Sequence, residues 1–115
     1  MKQIFRAMVW ALGCALAGAV GGAHANGTFD ADAAQATIKR NDCGKCHAVD
    51  KKKEGPAYKE TAAKLKGKTG AEDQIVKHLT TSPKVKVDGK EEEHKAMKAK
   101  DEAEVRNLAR WILSR

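Results

Sequence analysis

The stretch Cys43-Gly44-Lys45-Cys46-His47 decides how the rest of this chain is interpreted. It has the form C-x-x-C-H, which is the attachment motif of a c-type haem. The two cysteines are spaced so that each can form a thioether with one vinyl group of the haem. The histidine that follows directly can ligate the iron. The motif therefore predicts one covalently attached haem c.

The first 25 residues have the three parts of a secretory signal peptide. Lys2 and Arg6 form a basic start, an apolar run from Ala7 to Val20 follows, and Ala23-His24-Ala25 matches a small-x-small cleavage site. A membrane anchor is the less favoured alternative, because glycines interrupt the run and a span needs roughly 20 apolar residues. We predict that residues 1–25 are removed and that residues 26–115 form one exported domain, located in the periplasm and without a membrane span.

The signal peptide also decides how many cysteines the mature chain keeps. Lipid attachment at Cys14 is an alternative to cleavage, but removal of the signal peptide eliminates this cysteine and leaves two, both in the motif.

Composition supports a bound cofactor. A domain of this size is marginal without a metal, a disulfide or a cofactor. Besides Tyr58, the mature part contains only Phe29 and Trp111 as aromatic residues. A buried haem would supply the apolar volume that these few side chains do not.

The C-x-x-C-H motif is compatible with three roles besides haem attachment. A thioredoxin-like redox pair needs a βαβ context, which the sequence lacks. A zinc site needs a second pair of ligands, a role that His78 and His94 fill poorly. A disulfide between Cys43 and Cys46 is chemically feasible in an oxidising compartment. Export, the adjacent histidine and the scarcity of aromatic residues together favour haem.

Helical periodicity predicts an all-α fold of about four helices. The first helix begins at a cap formed by Thr28 or Asp30 and ends near Asn41; the others are predicted over about 57–66, 71–80 and 101–114. Between the last two, residues 84–100 have no clear helical pattern, and Asp88-Gly89 predicts a turn. No alternating segment is long enough to predict a sheet.

The chain resembles the small bacterial class I c-type cytochromes. The matching segments are Cys43–Asp50, Gly55–Lys59, Ala62–Leu65 and Leu108–Ser114. The resemblance implies a small single-domain cytochrome c fold in which about four helices wrap one haem and the N- and C-terminal helices pack together. It also implies that His47 is the proximal iron ligand, that the Pro56 carbonyl accepts a hydrogen bond from the His47 ring, and that Trp111 lies in the core beside the haem.

The sixth iron ligand is the point at which this sequence departs from the family pattern. The family usually supplies a methionine from a proline-containing loop just before the last helix, and Met97 is the only methionine of the mature chain in that region. Its neighbours are mostly lysine and alanine, whereas a weak thioether ligand depends on an apolar, packed loop. Imidazole binds ferric iron well in a polar loop, so we favour His94 and keep Met97 as the alternative.

Charge and composition favour a redox carrier. The formal net charge is +7, and the chain stays basic after loss of the signal peptide. Export argues against a nucleic-acid partner, so the lysines near the motif (Lys45, Lys51, Lys52 and Lys53) are expected to steer an acidic redox protein. We predict a monomeric one-electron carrier rather than an enzyme. The alternatives are a haem subunit of a larger oxidoreductase and a haem enzyme or gas sensor with a displaceable sixth ligand.

Overall fold

The computed structural model describes residues 27–115, and within them the fold is mainly helical, as predicted. The elements follow in the order α1 (Ala31–Arg40), α2 (Tyr58–Leu65), α3 (Ala71–Thr80), β1 (Lys84–Val87), β2 (Lys90–Glu93) and α4 (Glu102–Leu113). A 3₁₀ turn, Cys43–Lys45, follows α1. The predicted signal peptide and Cys14 lie outside the described residues. Among residues 27–115, no helix has the length and apolar character needed to cross a membrane.

The first and last helices pack together and are fastened at both ends. At the start of α1, the Asp30 carboxylate caps Ala33 N–H at 2.9 Å, so Asp30 and not Thr28 is the cap. The Asp30 backbone is also held by Asn107 of α4: its N–H donates to Oδ1 at 2.7 Å and its carbonyl accepts from Nδ2 at 2.9 Å. At the other end of α1, Thr37 and Arg40 bond to Glu104 of α4. The helix crossing implied by the family resemblance is therefore present.

Helix α4 is the centre of the core. It packs against α1, α2 and α3, and its apolar face is almost fully buried. The core side chains it contributes are Val105, Leu108, Ala109, Trp111 and Ile112. The start of α3 is fastened to α4 by ion pairs from Arg106 and Arg110 to Glu72, at 3.0 and 3.1 Å. These contacts fix α3 relative to α4.

The sequence-based expectation of no sheet is wrong. β1 and β2 form a two-stranded antiparallel hairpin in which Val85 lies opposite Glu92 and Val87 opposite Lys90. Asp88 and Gly89 both have positive φ, 49° and 80°. An Asp-Gly pair with two positive φ angles is the tight turn that matches the twist of paired strands. Only one strand alternates apolar and charged residues, so the pairing is set by the turn more than by a shared apolar face.

Candidate functional site

The two cysteines and His47 lie in a tight turn directly after α1. Asp42 enters this turn with a left-handed φ of 58°, a conformation that Asp adopts more readily than most residues. His47 N–H donates to the Cys43 carbonyl at 3.0 Å, which closes the turn. All three side chains line the same cavity.

Both thiols are free within the described part of the chain, so the disulfide alternative is not realised there. Burial raises the pKa of Cys43, and a hydrogen bond from Cys46 Sγ to Glu54 Oε2 at 3.3 Å raises the pKa of Cys46. Both shifts favour the protonated thiol over the thiolate, which is the form that acts in disulfide exchange. Residues 27–115 also contain no cluster of three or more His, Cys, Asp or Glu side chains arranged for a metal ion.

His47 is held in one orientation by three groups. Its Nδ1 lies 2.8 Å from the carbonyl oxygen of Pro56, the contact that the family resemblance implies. The Tyr58 ring stacks on the imidazole, with centroids 5.4 Å apart and planes 19° apart. A Cβ atom at Gly55 would collide with the imidazole ring, so only glycine fits there. Because a carbonyl accepts, Nδ1 carries the proton in this contact, and Nε2 is the nitrogen left for a metal.

Tyr58 connects His47 to the core. Its ring meets Trp111 edge to face, with centroids 5.4 Å apart. Trp111 is 2% exposed, which agrees with the core position predicted for it. Burial raises the pKa of the Tyr58 hydroxyl far above its usual range, so the residue stays neutral. His47 thus lies against an aromatic pair that reaches into the core.

A cavity of about 640 Å³ opens beside this turn. This volume is within the range of about 300–1,000 Å³ that is typical of cofactor sites. Its wall combines the three motif side chains with apolar residues from α2, α3, α4 and the hairpin, and it is mainly apolar. Leu65, Ile75, Leu79, Val85, Leu108 and Ile112 are among the apolar residues. Two thiols, an oriented imidazole and this apolar volume fit a covalently attached haem.

The segment opposite the motif is held by backbone hydrogen bonds. His94 N–H donates to the Pro83 carbonyl at 2.8 Å, and Met97 N–H donates to the Leu79 carbonyl at 2.8 Å. Lys98 is bound on both backbone groups by the side chain of Asn41, which is 7% exposed. Residues 94–98, which we call the distal segment, are therefore fixed to the residue before β1, to α3 and to the end of α1.

His94 lines the same cavity as His47. The ring centroids of the two histidines are 6.1 Å apart, with planes at 47°. Two imidazoles that bind one iron from opposite sides would place their ring centres about 6 Å apart, given metal–nitrogen distances of about 2 Å. Burial lowers the pKa of His94, which favours the neutral form that binds metals. Its Nδ1 is buried and has no hydrogen-bond partner among residues 27–115.

Met97 also lines the cavity, and its surroundings differ from the sequence-based interpretation. The side chain is half-buried and packs against the main apolar core. The expectation that Met97 lacks apolar cover is therefore wrong, because the core helices supply the cover from outside its own loop. Both candidate ligands therefore line the cavity from the distal segment, which together with His78 we call the distal wall.

His78, which the sequence analysis considered only as a poor zinc ligand, also lines the cavity. Its ring meets that of His94 edge to face, with centroids 4.5 Å apart. The available signal was its position in α3, because His78 follows Ile75 by three residues and precedes Leu79, and both of these are buried. A side chain on that face points inward with them.

This chain is similar in sequence and in fold to known proteins. Residues 31–115 match the family model "Cytochrome c". The chain is 38% identical over 77 residues to cytochrome c-551 of Pseudomonas aeruginosa, covering 67% of this chain and 71% of that protein. The fold is similar to the crystal structure of the class 1 cytochrome MtoD from Sideroxydans lithotrophicus ES-1, with a TM-score of 0.71 and 44% identity over 76% of this chain and 97% of the other. It is also similar to wild-type cytochrome c552 of Nitrosomonas europaea, with a TM-score of 0.56 and 30% identity over 74% and 98%.

Proposed function

Because this chain belongs to the cytochrome c family, we propose that it is a periplasmic carrier that passes one electron at a time between redox proteins. Family membership gives one covalently attached haem c and a role in electron transfer rather than enzymatic catalysis. When bound, the haem supplies the one-electron couple between ferric and ferrous iron. The residues of this chain hold the haem and complete its ligation.

Cys43 and Cys46 form the two thioethers, and His47 is the proximal ligand. The observation that carries the proposal is the placement of a second imidazole across the cavity, with its centroid 6.1 Å from that of His47. A haem iron held by both imidazoles would have no open position for a substrate or a gas, and this favours a carrier. The Pro56 carbonyl keeps His47 oriented and increases its donor strength through the hydrogen bond to Nδ1.

His94 is our preferred distal ligand and Met97 the alternative. The ring geometry of His94 supports the first, and the packing of Met97 against the core supports the second. The choice affects the reduction potential, because a methionine ligand raises it relative to a second histidine. Replacing each candidate by leucine separates the two assignments.

Export follows from residues 1–25, which we propose to be a signal peptide cleaved after Ala25. Haem attached to the remaining domain, residues 26–115, would then function in the periplasm. The mature protein would meet its redox partners there as a monomer.

The lysines beside the motif would steer an acidic partner. The side chain of Lys45 is 76% exposed and pairs only loosely with Asp42, at 3.5 Å. Lys51 and Lys52 are also exposed, and Lys53 bonds to the Gly44 carbonyl across the loop. Such steering raises association rates at low salt and produces small, transient interfaces.

The test is the rate of electron transfer to a protein with an acidic surface, measured by stopped flow at several ionic strengths. We expect the second-order rate constant to fall with increasing salt. At low salt it should be lower in Lys51→Glu/Lys52→Glu than in the matched Lys66→Glu/Lys68→Glu variant beyond the end of α2. A rate that is independent of salt would contradict the docking proposal. Rapid carbon monoxide binding by the reduced protein would favour a gas-binding haem protein, and stable copurification with a catalytic partner would favour an oxidoreductase subunit.

A further inference from the structure

The distal wall of the cavity carries two adjacent imidazoles. His78 comes from α3, and His94 comes from the segment between β2 and α4. Their ring centroids are 4.5 Å apart and their planes are inclined by 62°, so the edge of one ring meets the face of the other. A contact at this distance restricts rotation of both rings.

We propose that His78 is a positioning residue that fixes the ring plane of His94 relative to the iron; the proposal rests on the assignment of His94 as the distal ligand. An imidazole bound to a metal can rotate about the metal–nitrogen bond unless its other side is held. In most metal sites a hydrogen bond from the second ring nitrogen does this. His47 has such a bond to Pro56, at 2.8 Å.

Within residues 27–115, His94 has no such bond of normal geometry at Nδ1. Its Nδ1 is buried without a hydrogen-bond partner in the part of the chain that the structure describes. Its backbone is fixed by the bond from its N–H to the Pro83 carbonyl, but this leaves the side-chain torsions free. The ring of His78 meets it directly on the distal wall. Packing against His78 therefore fixes the ring of His94, as the hydrogen bond to Pro56 fixes the ring of His47.

His78 is suited to this role because its helix cannot shift easily. Ile75 and Leu79, on either side of it in α3, are 5% and 9% exposed. The start of the same helix is tied to α4 through Glu72, which pairs with Arg106 and Arg110. The backbone that carries His78 is therefore held in place relative to α4.

The experiment is electron paramagnetic resonance of the ferric holoprotein, because the g values of a low-spin ferric haem depend on the angle between its two axial ligand planes. We expect His78→Ala to shift the largest g value and broaden the signal, since several orientations of His94 become accessible. His78→Phe keeps a ring in the same place and should restore a single narrow signal. Gln74→Ala, one turn earlier on α3 and also on the cavity wall, is the matched control and should leave the signal unchanged.

Two results would overturn the proposal, and they are distinguishable. A His78→Ala spectrum identical to that of the wild type, with His94→Leu causing loss of the bis-imidazole signal, would show that His94 is the ligand but that His78 does not position it. A spectrum unaffected by His94→Leu and altered by Met97→Leu would show that the distal assignment itself is wrong. If His78→Ala yields no folded holoprotein, His78→Leu provides the same comparison with the volume retained.

Discussion

The side chain of Asn41 binds both backbone groups of Lys98. Lys98 N–H donates to Asn41 Oδ1 at 2.7 Å, and Asn41 Nδ2 donates to the Lys98 carbonyl at 3.1 Å. Asn41 ends α1 and Lys98 ends the distal segment, so these two bonds join the N-terminal helix to the distal wall of the cavity. The segment that carries both candidate ligands is thus held by a residue just before the haem motif.

Replacing this residue should therefore loosen the distal segment. We expect Asn41→Leu to lower the free energy of unfolding by about 1–3 kcal/mol, because it leaves two backbone groups without partners. It should also accelerate carbon monoxide binding by the reduced protein. Asn107→Leu breaks the same type of clasp at Asp30, at the other end of α1, and should lower stability without changing the binding rate. Equal carbon monoxide kinetics in both variants would contradict this role for Asn41.

A methyl group at Gly55 should disturb the proximal histidine. We expect Gly55→Ala to break the contact between His47 and Pro56, since the added Cβ would overlap the imidazole ring. Overpacking of this kind costs about 1–3 kcal/mol. The visible spectrum should show a mixture of spin states, and the yield of holoprotein should fall. Gly44→Ala is the matched control in the haem motif, because a Cβ there meets no atom within 4 Å in the described structure.

Glu104 makes the free energy of unfolding depend on pH in the acid range. Its carboxylate accepts from Lys100 N–H at 2.7 Å, and this bond, together with bonds from Arg40 and Thr37, lowers its pKa below the ordinary value of 4.5. A carboxyl group whose pKa is lower in the folded state than in the unfolded state stabilises the fold. This contribution is complete when the pH is above the ordinary pKa, and it is lost as the pH falls through the folded-state pKa. We expect the free energy of unfolding to decline below about pH 4.5, and the decline to be shallower in Glu104→Gln.

Urea unfolding of the holoprotein at a series of pH values measures this effect. Asp32→Asn, at an exposed position in the first turn of α1, is the control and should follow the wild-type profile. If Glu104→Gln and the wild type lose stability in parallel as the solution is acidified, another group is responsible.

The choice between the two distal candidates can be made from optical spectra. A ferric iron bound by a thioether has a weak long-wavelength charge-transfer band. We expect this band to be absent from the wild type and the spectrum to be unaltered by Met97→Leu, while His94→Leu removes the low-spin spectrum of the ferric protein. A band that is present in the wild type and lost in Met97→Leu would make Met97 the ligand.

The features of this fold and site that could be predicted from the sequence are those set by contacts between residues close together in the chain. The helix ends follow from short-range patterns, and the structure agrees with them. The core position of Trp111 was implied by the family resemblance, and the structure shows it as well. The hairpin was missed because its pairing depends on one Asp-Gly turn, and β2, Lys90–Glu93, is charged and fully exposed. The apolar cover of Met97 and the contact of His78 with His94 come from helices distant in sequence. Such contacts leave no periodic signal near the residues they affect.

An optical redox titration of the mature holoprotein tests the central claim most directly, because that claim is a haem iron ligated from both walls of the cavity. We predict a single one-electron transition with low-spin, six-coordinate spectra in both the ferric and the ferrous state, since both axial ligands stay bound throughout. A high-spin, five-coordinate spectrum in either state would contradict the claim.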